Sequence, residues 1–333
     1  MSLRLALHAS APLRGLSALV GILCQPWIAG PAVLALTYGP REIRDPLVEL
    51  ISRQTLVSVE TVVRTLKTLF GVGVVATVHR LLNAWANSQW RLTAATGWQW
   101  DKEIAVVTGG SSGIGLNIVL GLVNKGVRVV VLDIQPLPEV LQQRTSVSFV
   151  HCDVSSTKAI EEAAETVRQS VGHPSILVNN AGMGNFESIL GITDEQLKKI
   201  FNVNLLSHWT ATKQFLPDMV KKNKGHIVTI ASVASFAAIP RLVDYAATKA
   251  GAMAFHEGLS GEIKHIYKAP GVLTTSVHPA WVGTPMTESI AGAIEKRNGP
   301  LLVRFCSLHL LRTMRFRIKS PFRLTIHNRK WNK

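Results

Sequence analysis

The sequence predicts a doubly wound α/β fold: a parallel sheet with helices on both faces, preceded by an N-terminal membrane-associated helical region. Three observations predict it. They are an uncharged apolar run near the N-terminus, a series of short apolar segments separated by helical stretches from Asp101 onward, and a glycine-rich turn after the first of those segments. Only 17% of the 333 residues are charged and 47% are hydrophobic. This composition excludes an intrinsically disordered chain, which needs low hydrophobicity and high charge density.

The first region, residues 1–100, is expected to anchor the chain in a membrane. Residues 15–40 carry no charge and exceed the roughly 20 residues that cross a bilayer as a helix. Pro26 and Pro31 lie inside this run and each removes a backbone donor, so a kinked span or a re-entrant hairpin is expected. Membrane lipid is therefore a predicted partner of this run. A mitochondrial leader is the alternative, because no acidic residue precedes Glu42.

A second apolar stretch covers residues 68–79. It is too short to cross a bilayer alone, so it is expected to lie in the membrane interface or to pack on the main domain. Half of the eight tryptophans then follow within a short segment, which fits either an interfacial belt or ordinary core residues. These four are Trp85, Trp90, Trp98 and Trp100.

The main domain, predicted at residues 101–295, contains six apolar segments with the length of buried strands. Their continuous apolar character indicates a parallel sheet covered on both faces. Helical stretches such as 158–170 and 194–222 lie between them and imply right-handed crossovers. The segments are IAVVT (104–108), VRVVVLD (127–133), VSFVHC (147–152), SILVNN (175–180), HIVTIAS (226–232) and LTTSVHP (273–279).

The last region, residues 296–333, is a basic tail. Eleven of the 36 Lys and Arg residues lie in it without any Asp or Glu, and without them the net charge falls from +15 to +4. No nucleic-acid-binding module accompanies the tail, so a solvated end is favoured and no nucleic-acid partner is predicted. The three cysteines are too few for a disulfide framework, and neither they nor the eleven histidines have metal-ligand spacing, so no metal site is predicted.

The glycine-rich turn, TGGSSGIG, follows the first predicted strand and opens a helix. Gly109, Gly113 and Gly115 have the spacing of a tight turn that brings phosphate onto the amides of a helix start. Asp133 ends the second predicted strand, where a carboxylate accepts hydrogen bonds from ribose hydroxyls and repels a 2′-phosphate. NAD is therefore favoured, with NADP as the alternative. The plainer alternatives are an ordinary turn and a carboxylate that caps a loop.

Tyr245 and Lys249 form a Tyr-x-x-x-Lys pair, whose spacing places both side chains on one helix face. An ammonium beside a phenol favours the phenolate, so Lys249 is expected to lower the pKa of Tyr245 toward the neutral range. Ser232, at the end of a predicted strand, could give a second hydrogen bond to a substrate oxygen. An ordinary helix pairing is the alternative.

Together and in this order, these segments resemble the classical short-chain dehydrogenase/reductase family over about residues 101–290. The segment 201–236 is further similar to its membrane-associated subgroup, which acts on retinoids, hydroxysteroids and other lipophilic alcohols. The resemblance implies a Rossmann fold and a location at the endoplasmic reticulum or a lipid droplet, with the mitochondrion as alternative. The further matching segments are NNAG (179–182), FNVNLL (201–206), IASV (230–233) and HPAWVGT (278–284).

The resemblance implies a role for each matching residue. Tyr245 matches the catalytic acid/base, Lys249 the lysine that holds the nicotinamide ribose, and Ser232 the serine that orients the reacting oxygen. Asn204 matches the asparagine of the proton relay, whereas Ala280 replaces the family's usual glycine. The matching cofactor positions are Gly109, Ser111, Ser112, Gly113, Ile114, Gly115, Asp133, Asp153, Val154, Asn180, Ala181, Gly182, Tyr245, Lys249, Val282 and Thr284.

The function that the resemblance implies is NAD(P)(H)-dependent hydride transfer that interconverts a lipophilic primary or secondary alcohol with its aldehyde or ketone. Retinoids, steroids and long-chain alcohols are the expected substrates, and a homodimer is compatible with the family. Two alternatives stay open. One is a catalytically weak membrane-bound scaffold of the same fold, which the unfamiliar pattern after Glu295 suggests. The other is a carbonyl reductase for soluble substrates.

Overall fold

A computed structural model of the protein describes residues 21–22, 24–54, 57–87, 97–290 and 292. The chain divides into two compact units, one before residue 95 and one from there onward. The described part of the N-terminal unit contains three long helices, of which α1 packs against α3. They are α1 (Pro26–Tyr38), α2 (Arg41–Gln54) and α3 (Val59–Asn87).

Helix α3 is, within the described residues, the one helix whose length and composition suit a membrane crossing, over Val59–Asn83. Residues 68–79 are therefore not a separate short element, because the residues flanking this apolar stretch continue the same helix. The described part of residues 15–40 forms mainly the 13-residue helix α1, which is shorter than a span and contains Pro31. Residues 15–20 lie outside the described part.

The second unit contains a six-stranded parallel sheet in the order β3-β2-β1-β4-β5-β6. All six predicted segments form strands, which confirms the predicted doubly wound sheet. The strand order reverses between β1 and β4, and in open α/β sheets ligands bind outside the carboxyl ends of the strands at such a point. The strands are β1 (Ile104–Thr108), β2 (Arg128–Asp133), β3 (Val147–His151), β4 (Ile176–Asn179), β5 (Gly225–Ile230) and β6 (Val272–Val277).

Helices connect these strands. The stretch predicted as one helix over 194–222 is divided by a π-helical turn at Asn202–Leu206, whose wider hydrogen-bond ladder is frequent at functional sites. The helices are α4 (Gly113–Val123), α5 (Glu139–Gln142), α6 (Thr157–Ser170), α7 (Asp194–Phe201), α8 (Ser207–Lys221) and α9 (Val243–His265).

Two buried apolar clusters cover the two faces of the sheet. On the α8 face, Leu177 and Ile227 of the sheet pack with residues of α6, α8 and α9 such as Phe215. On the α4 face, Val178 and Val228 pack with residues of α4. Because successive strand residues point to opposite faces, each strand contributes to both clusters, as its continuous apolar sequence requires.

Trp98 and Trp100 pack against the core of the α4 face, with their ring centroids 6.0 Å apart. The Lys125 ammonium lies 4.5 Å from the centroid of Trp100. Of the two interpretations of the tryptophan cluster, the structure therefore favours core residues for this pair. Trp90, the segment after Glu295 and the basic tail lie outside the described residues.

Candidate active site

The glycine-rich turn joins β1 to α4, and its glycines are needed for different reasons. Gly109 and Gly113 have positive φ angles of 63° and 55°, which side chains rarely adopt. Gly115 lies in the helix, but a Cβ there would lie 2.0 Å from the Gly109 carbonyl oxygen and 2.5 Å from Nδ2 of Asn180. The turn therefore has no room for a side chain at Gly115.

The start of α4 leaves backbone donors for a ligand. Ser112 is the N-cap, and within the described residues its side chain makes no capping hydrogen bond. The first amides of a helix lack intrahelical partners and carry positive partial charge, so they favour a phosphate. Ile114 follows on the first turn, and a Cβ on Gly113 would lie 3.2 Å from Cγ2 of Thr284. Thr284 therefore borders the turn.

Asn180 ties the NNAG segment to this turn. Its Nδ2 donates to the carbonyl oxygens of Thr108 at 2.9 Å and Gly109 at 2.8 Å. In return, Oγ1 of Thr108 accepts from the backbone amides of Asn180 and Ala181, each at 3.0 Å. The sequence analysis did not identify Thr108 as a site residue, although its place between a strand and a glycine turn was a usable signal.

The carboxylate of Asp133 connects the glycine turn to the end of β2. It accepts from the backbone amides of Ser111 and Gln135, both at 2.9 Å, while Oγ of Ser111 donates to the Gln135 carbonyl at 2.9 Å. Asp153 follows the neighbouring strand β3 and is exposed, whereas Val154 is buried in the core of the α8 face. The predicted adenosine-side residues therefore lie at one edge of the sheet.

Ser232 and Tyr245 are brought together from two elements. Ser232 follows β5 and Tyr245 lies on α9, and the Ser232 side chain is near enough to lower the pKa of the Tyr245 phenol. The Ala234 amide donates to Oγ of Ser232 at 3.1 Å, and this contact fixes the serine. The fold thus brings the two side chains from different elements to one place.

Lys249 is 3% exposed, and its Nζ donates to the Ile230 carbonyl at 2.8 Å. Burial lowers the pKa of Lys249 to about 8. The ammonium lies 5.7 Å from the ring centroid of Tyr245. Burial raises the pKa of Tyr245 above its usual value, and the hydrogen bond from Ser232 opposes this rise. The expectation that the lysine lowers the pKa of Tyr245 is therefore wrong for this state, because desolvation of the phenol dominates.

Asn204 lies in the π turn and its side chain is fully buried. Its Oδ1 accepts from the Met183 amide at 2.8 Å, and its Nδ2 donates to the Met183 carbonyl at 2.9 Å and to Oγ1 of Thr248 at 3.2 Å. A Cβ on Gly182 would lie 3.5 Å from both Oδ1 of Asn204 and Nζ of Lys249. The asparagine side chain therefore fixes the segment after β4 beside the lysine.

The turn after β6 carries the last predicted cofactor residues. Val282 is buried, and Oγ1 of Thr287 donates to its carbonyl at 2.8 Å and accepts from the Thr284 amide at 3.1 Å. Ala280 is not among the non-glycine residues with positive φ, so replacing the family's usual glycine causes no backbone strain there. Thr287 was missed by the sequence analysis, since nothing local to it indicates this role.

The structure thus gathers the predicted residues at the carboxyl end of the sheet, and adds supporting residues that the sequence analysis missed. Within the described residues, no group of three or more His, Cys, Asp and Glu side chains could hold a metal ion. The additional supporting residues are Thr108, Met183, Thr248 and Thr287.

Comparison with known proteins agrees with this geometry. A sequence profile described as short chain dehydrogenase matches residues 103–294. The chain is 38% identical over 212 residues to dehydrogenase RED2 of Cochliobolus heterostrophus, covering 63% of this chain and 80% of that protein. It is 37% identical over 188 residues to estradiol 17-beta-dehydrogenase 11 of Pongo abelii, covering 55% of this chain and 62% of that protein.

Among solved structures, an actinorhodin polyketide ketoreductase with NADPH superposes with a TM-score of 0.57 at 27% identity. The match covers 65% of this chain and 91% of the ketoreductase. Relatives named as dehydrogenases and a structural neighbour that is a ketoreductase indicate an oxidoreductase that acts on CH–OH groups. The profile match, the sequence identities and the shared fold together show that the chain belongs to the short-chain dehydrogenase family.

Proposed function

We propose that the protein interconverts a lipophilic alcohol with its ketone or aldehyde, using a nicotinamide dinucleotide. The observation that carries this proposal is the convergence of Ser232, Tyr245 and Lys249 beside the glycine turn, with the Lys249 ammonium 5.7 Å from the centroid of the Tyr245 ring. A scaffold would not require a phenol and an ammonium to be buried next to each other, because burying such groups has a cost in free energy.

The residues at the start of α4 fit a dinucleotide. The closely packed glycines leave the backbone open to a pyrophosphate, and the helix start supplies amide donors. Lys249 would hold the ribose hydroxyls, and Val282 and Thr284 would border the nicotinamide. When bound, the nicotinamide supplies the hydride chemistry, while the protein orients the substrate and polarises its reacting oxygen.

The chain's own residues then perform the acid–base step. Ser232 orients the substrate oxygen, and Tyr245 gives its hydroxyl proton to the developing alkoxide in reduction, or takes the alcohol proton in oxidation. Because burial keeps the phenol protonated at neutral pH, it is ready as a proton donor. Fixed donors that meet charge as it develops on the oxygen lower the barrier.

A lipophilic substrate is supported by the two loops beside the site. Leu190 is 98% exposed on the loop after β4, and Phe236 is 67% exposed on the loop after β5. The loops contact each other, because Nε of Arg241 donates to the Phe186 carbonyl at 3.0 Å. A Cβ on Gly184 would lie 3.9 Å from the ring of Tyr245, so the first loop borders the catalytic phenol. Helix α3 would attach the domain to the membrane that contains such substrates.

The test is a screen of the detergent-solubilised full chain against retinoids, steroids and long-chain alcohols, with NAD and NADP. Turnover of at least one of these classes supports the proposal. Cofactor binding without any turnover would support the scaffold instead. Turnover confined to polar carbonyl compounds would support a reductase for soluble substrates.

NAD is the proposed preferred cofactor, because a carboxylate at the end of β2, as Asp133 supplies, would repel a 2′-phosphate. Asp133→Asn keeps an acceptor for the Ser111 or Gln135 amide but removes the charge. We expect the ratio of kcat/KM with NAD to that with NADP to fall at least about tenfold, the effect of about 1.4 kcal/mol. Asp153→Asn is the matched control: it changes both cofactors alike and leaves the ratio constant. An unchanged ratio in Asp133→Asn would contradict the assigned preference.

The rate of carbonyl reduction is expected to fall above pH about 8. The pKa of Lys249 is lowered to about 8, so the ammonium is present below that pH and lost above it. The measurement is kcat/KM for the ketone or aldehyde from pH 6 to 10. Lys249→Arg should move the decline to higher pH, because a guanidinium stays protonated. A rate that stays flat to pH 10 in the unmodified enzyme would contradict this assignment.

A further inference from the structure

The loop after β4, residues 184–191, has its base beside the catalytic phenol. A Cβ on Gly184 would lie 3.9 Å from Cδ2 of Tyr245 and 3.4 Å from Cε2 of Phe186, so both rings border this glycine. At the tip of the same loop, Leu190 is 98% exposed. The loop therefore runs from the reacting group to an apolar tip in solvent.

Asn185 connects this loop to the start of α9. Its Nδ2 donates to Oδ2 of Asp244 at 2.9 Å. Asp244 is 8% exposed and lies in the first turn of α9, directly before Tyr245. A buried carboxylate is stable only where donors meet it, because removing it from water has a high cost in free energy. The contact therefore ties the loop to the residue next to the phenol.

A second contact joins the loop to the residues before α9. Nε of Arg241 donates to the Phe186 carbonyl at 3.0 Å, and its Nη2 lies 3.9 Å from Oε2 of Glu187. Phe186 and Arg241 have positive φ angles of 57° and 65°, which residues other than glycine rarely adopt. Such backbone persists only where surrounding contacts hold it, and it is concentrated at functional sites.

Both contacts come from one short segment, residues 241–245, which also carries the phenol. The loop is therefore supported by the residues that immediately precede Tyr245 and not by a distant part of the fold. A substrate that contacts both the loop and the phenol hydroxyl would be held by a single support. Holding a substrate in the right geometry beside the reacting group is a part of catalysis.

We propose that Asp244 is a positioning residue, which holds the loop after β4 through Asn185 and so makes this loop a wall for the apolar body of the substrate. The inference rests on the proposed function, because an apolar wall serves a lipophilic substrate. Such a substrate, with its reacting oxygen at Tyr245, would extend past Gly184 toward Leu190. Its apolar body would remove that exposed side chain from water, which is favourable.

The first test measures hydrogen exchange of the amides in residues 184–191, in the detergent-solubilised full chain with NADH bound. Asn185→Asp keeps the side-chain shape but replaces the donor by a second carboxylate facing Asp244. Exchange in the loop should become about tenfold faster, which corresponds to losing one hydrogen bond to a charged group. Unchanged exchange would overturn the proposal.

The double variant Asn185→Asp/Asp244→Asn distinguishes a paired contact from a role of the helix-start charge alone. The new amide at position 244 can donate to the new carboxylate in the loop, so the hydrogen bond returns with donor and acceptor reversed. Loop exchange should return to within about twofold of the wild type. A carboxylate that acted only on the helix dipole would not be replaced in this way. Fast exchange in the double variant would therefore overturn the proposal.

The second readout separates substrate positioning from a general effect on the fold. For the lipophilic substrate that the screen identifies, Asn185→Asp should raise KM about tenfold and change kcat less than about threefold, since the loop contacts the apolar body. For 2-butanone, which is too short to reach the loop tip, KM should stay within about twofold. Equal losses for both compounds would indicate a structural effect alone and overturn the proposal.

Asn223→Asp is the matched control, because it makes the same chemical change in an exposed turn before β5, at the opposite end of the sheet. Oδ1 of Asn223 accepts from the Gly271 amide at 2.7 Å, and aspartate keeps this acceptor. Loop exchange and both KM values should stay unchanged. Should no substrate be turned over, the proposed function fails, while the exchange readout still decides whether Asp244 holds the loop.

Discussion

Replacing Tyr245 by phenylalanine is expected to reduce kcat by about 10³-fold, the size of a lost general acid–base contribution. The phenol lies beside Ser232 and Lys249, and in the proposed mechanism it is the group that exchanges a proton with the substrate oxygen. Because the substitution removes one oxygen atom from a half-buried ring, the fold and the cofactor cradle should stay intact. The measurement is steady-state turnover of the substrate found in the screen, together with the dissociation constant for NADH.

Tyr267→Phe is the matched control for this prediction. Tyr267 lies just beyond the end of α9, is 43% exposed and hydrogen-bonds to Glu262 at 3.2 Å. Its loss should leave turnover within about twofold, as expected for a surface change. If Tyr245→Phe kept near-normal turnover, or if NADH affinity fell in parallel with kcat, the acid–base role would be wrong.

Replacing Gly115 by alanine is expected to lower cofactor affinity at least about 100-fold and the free energy of unfolding by about 1–3 kcal/mol. The new Cβ would lie 2.0 Å from the Gly109 carbonyl oxygen, which is backbone and cannot rotate away. The turn would have to move, and the amides that it presents would move with it. Asn180 would lose its contacts, since its Nδ2 would lie 2.5 Å from the same Cβ.

Gly258→Ala is the control for the helical effect of the alanine itself. Gly258 is an exposed glycine inside α9, with no atom within 4 Å of an added Cβ. Alanine there should raise the free energy of unfolding by up to about 1 kcal/mol and leave cofactor affinity unchanged. If Gly115→Ala matched the wild type in both stability and cofactor affinity, the turn would tolerate a side chain at this position. The close approach to the Gly109 carbonyl oxygen would then not exclude a side chain.

The direction of the phenol's pKa bears on the proposed function. In this structure burial raises the pKa of Tyr245 and lowers that of Lys249 to about 8. Both shifts favour the uncharged forms. The Lys249 ammonium therefore depends on groups that stabilise its charge.

Several features of the fold were predictable because their signals are local. The six strands follow from continuous apolar segments, and the turn after β1 follows from its glycines and their place between a strand and a helix. The π turn at Asn202–Leu206 was not predicted, since it interrupts a sequence with uninterrupted helical pattern. The full length of α3 was also missed, because only its most apolar part was taken as the element.

The sequence by itself determined the order of the elements, the glycine cradle and the spacing of Tyr245 and Lys249, because each depends on residues close together in the chain. Only the tertiary structure decided which distant groups meet. Asn180 reaches Gly109 across 71 residues, and Asn204 reaches Thr248 across 44 residues. Burial and solvation also depend on the whole fold. For that reason the spacing of the pair was evident from the sequence, while the direction of the pKa of Tyr245 was not.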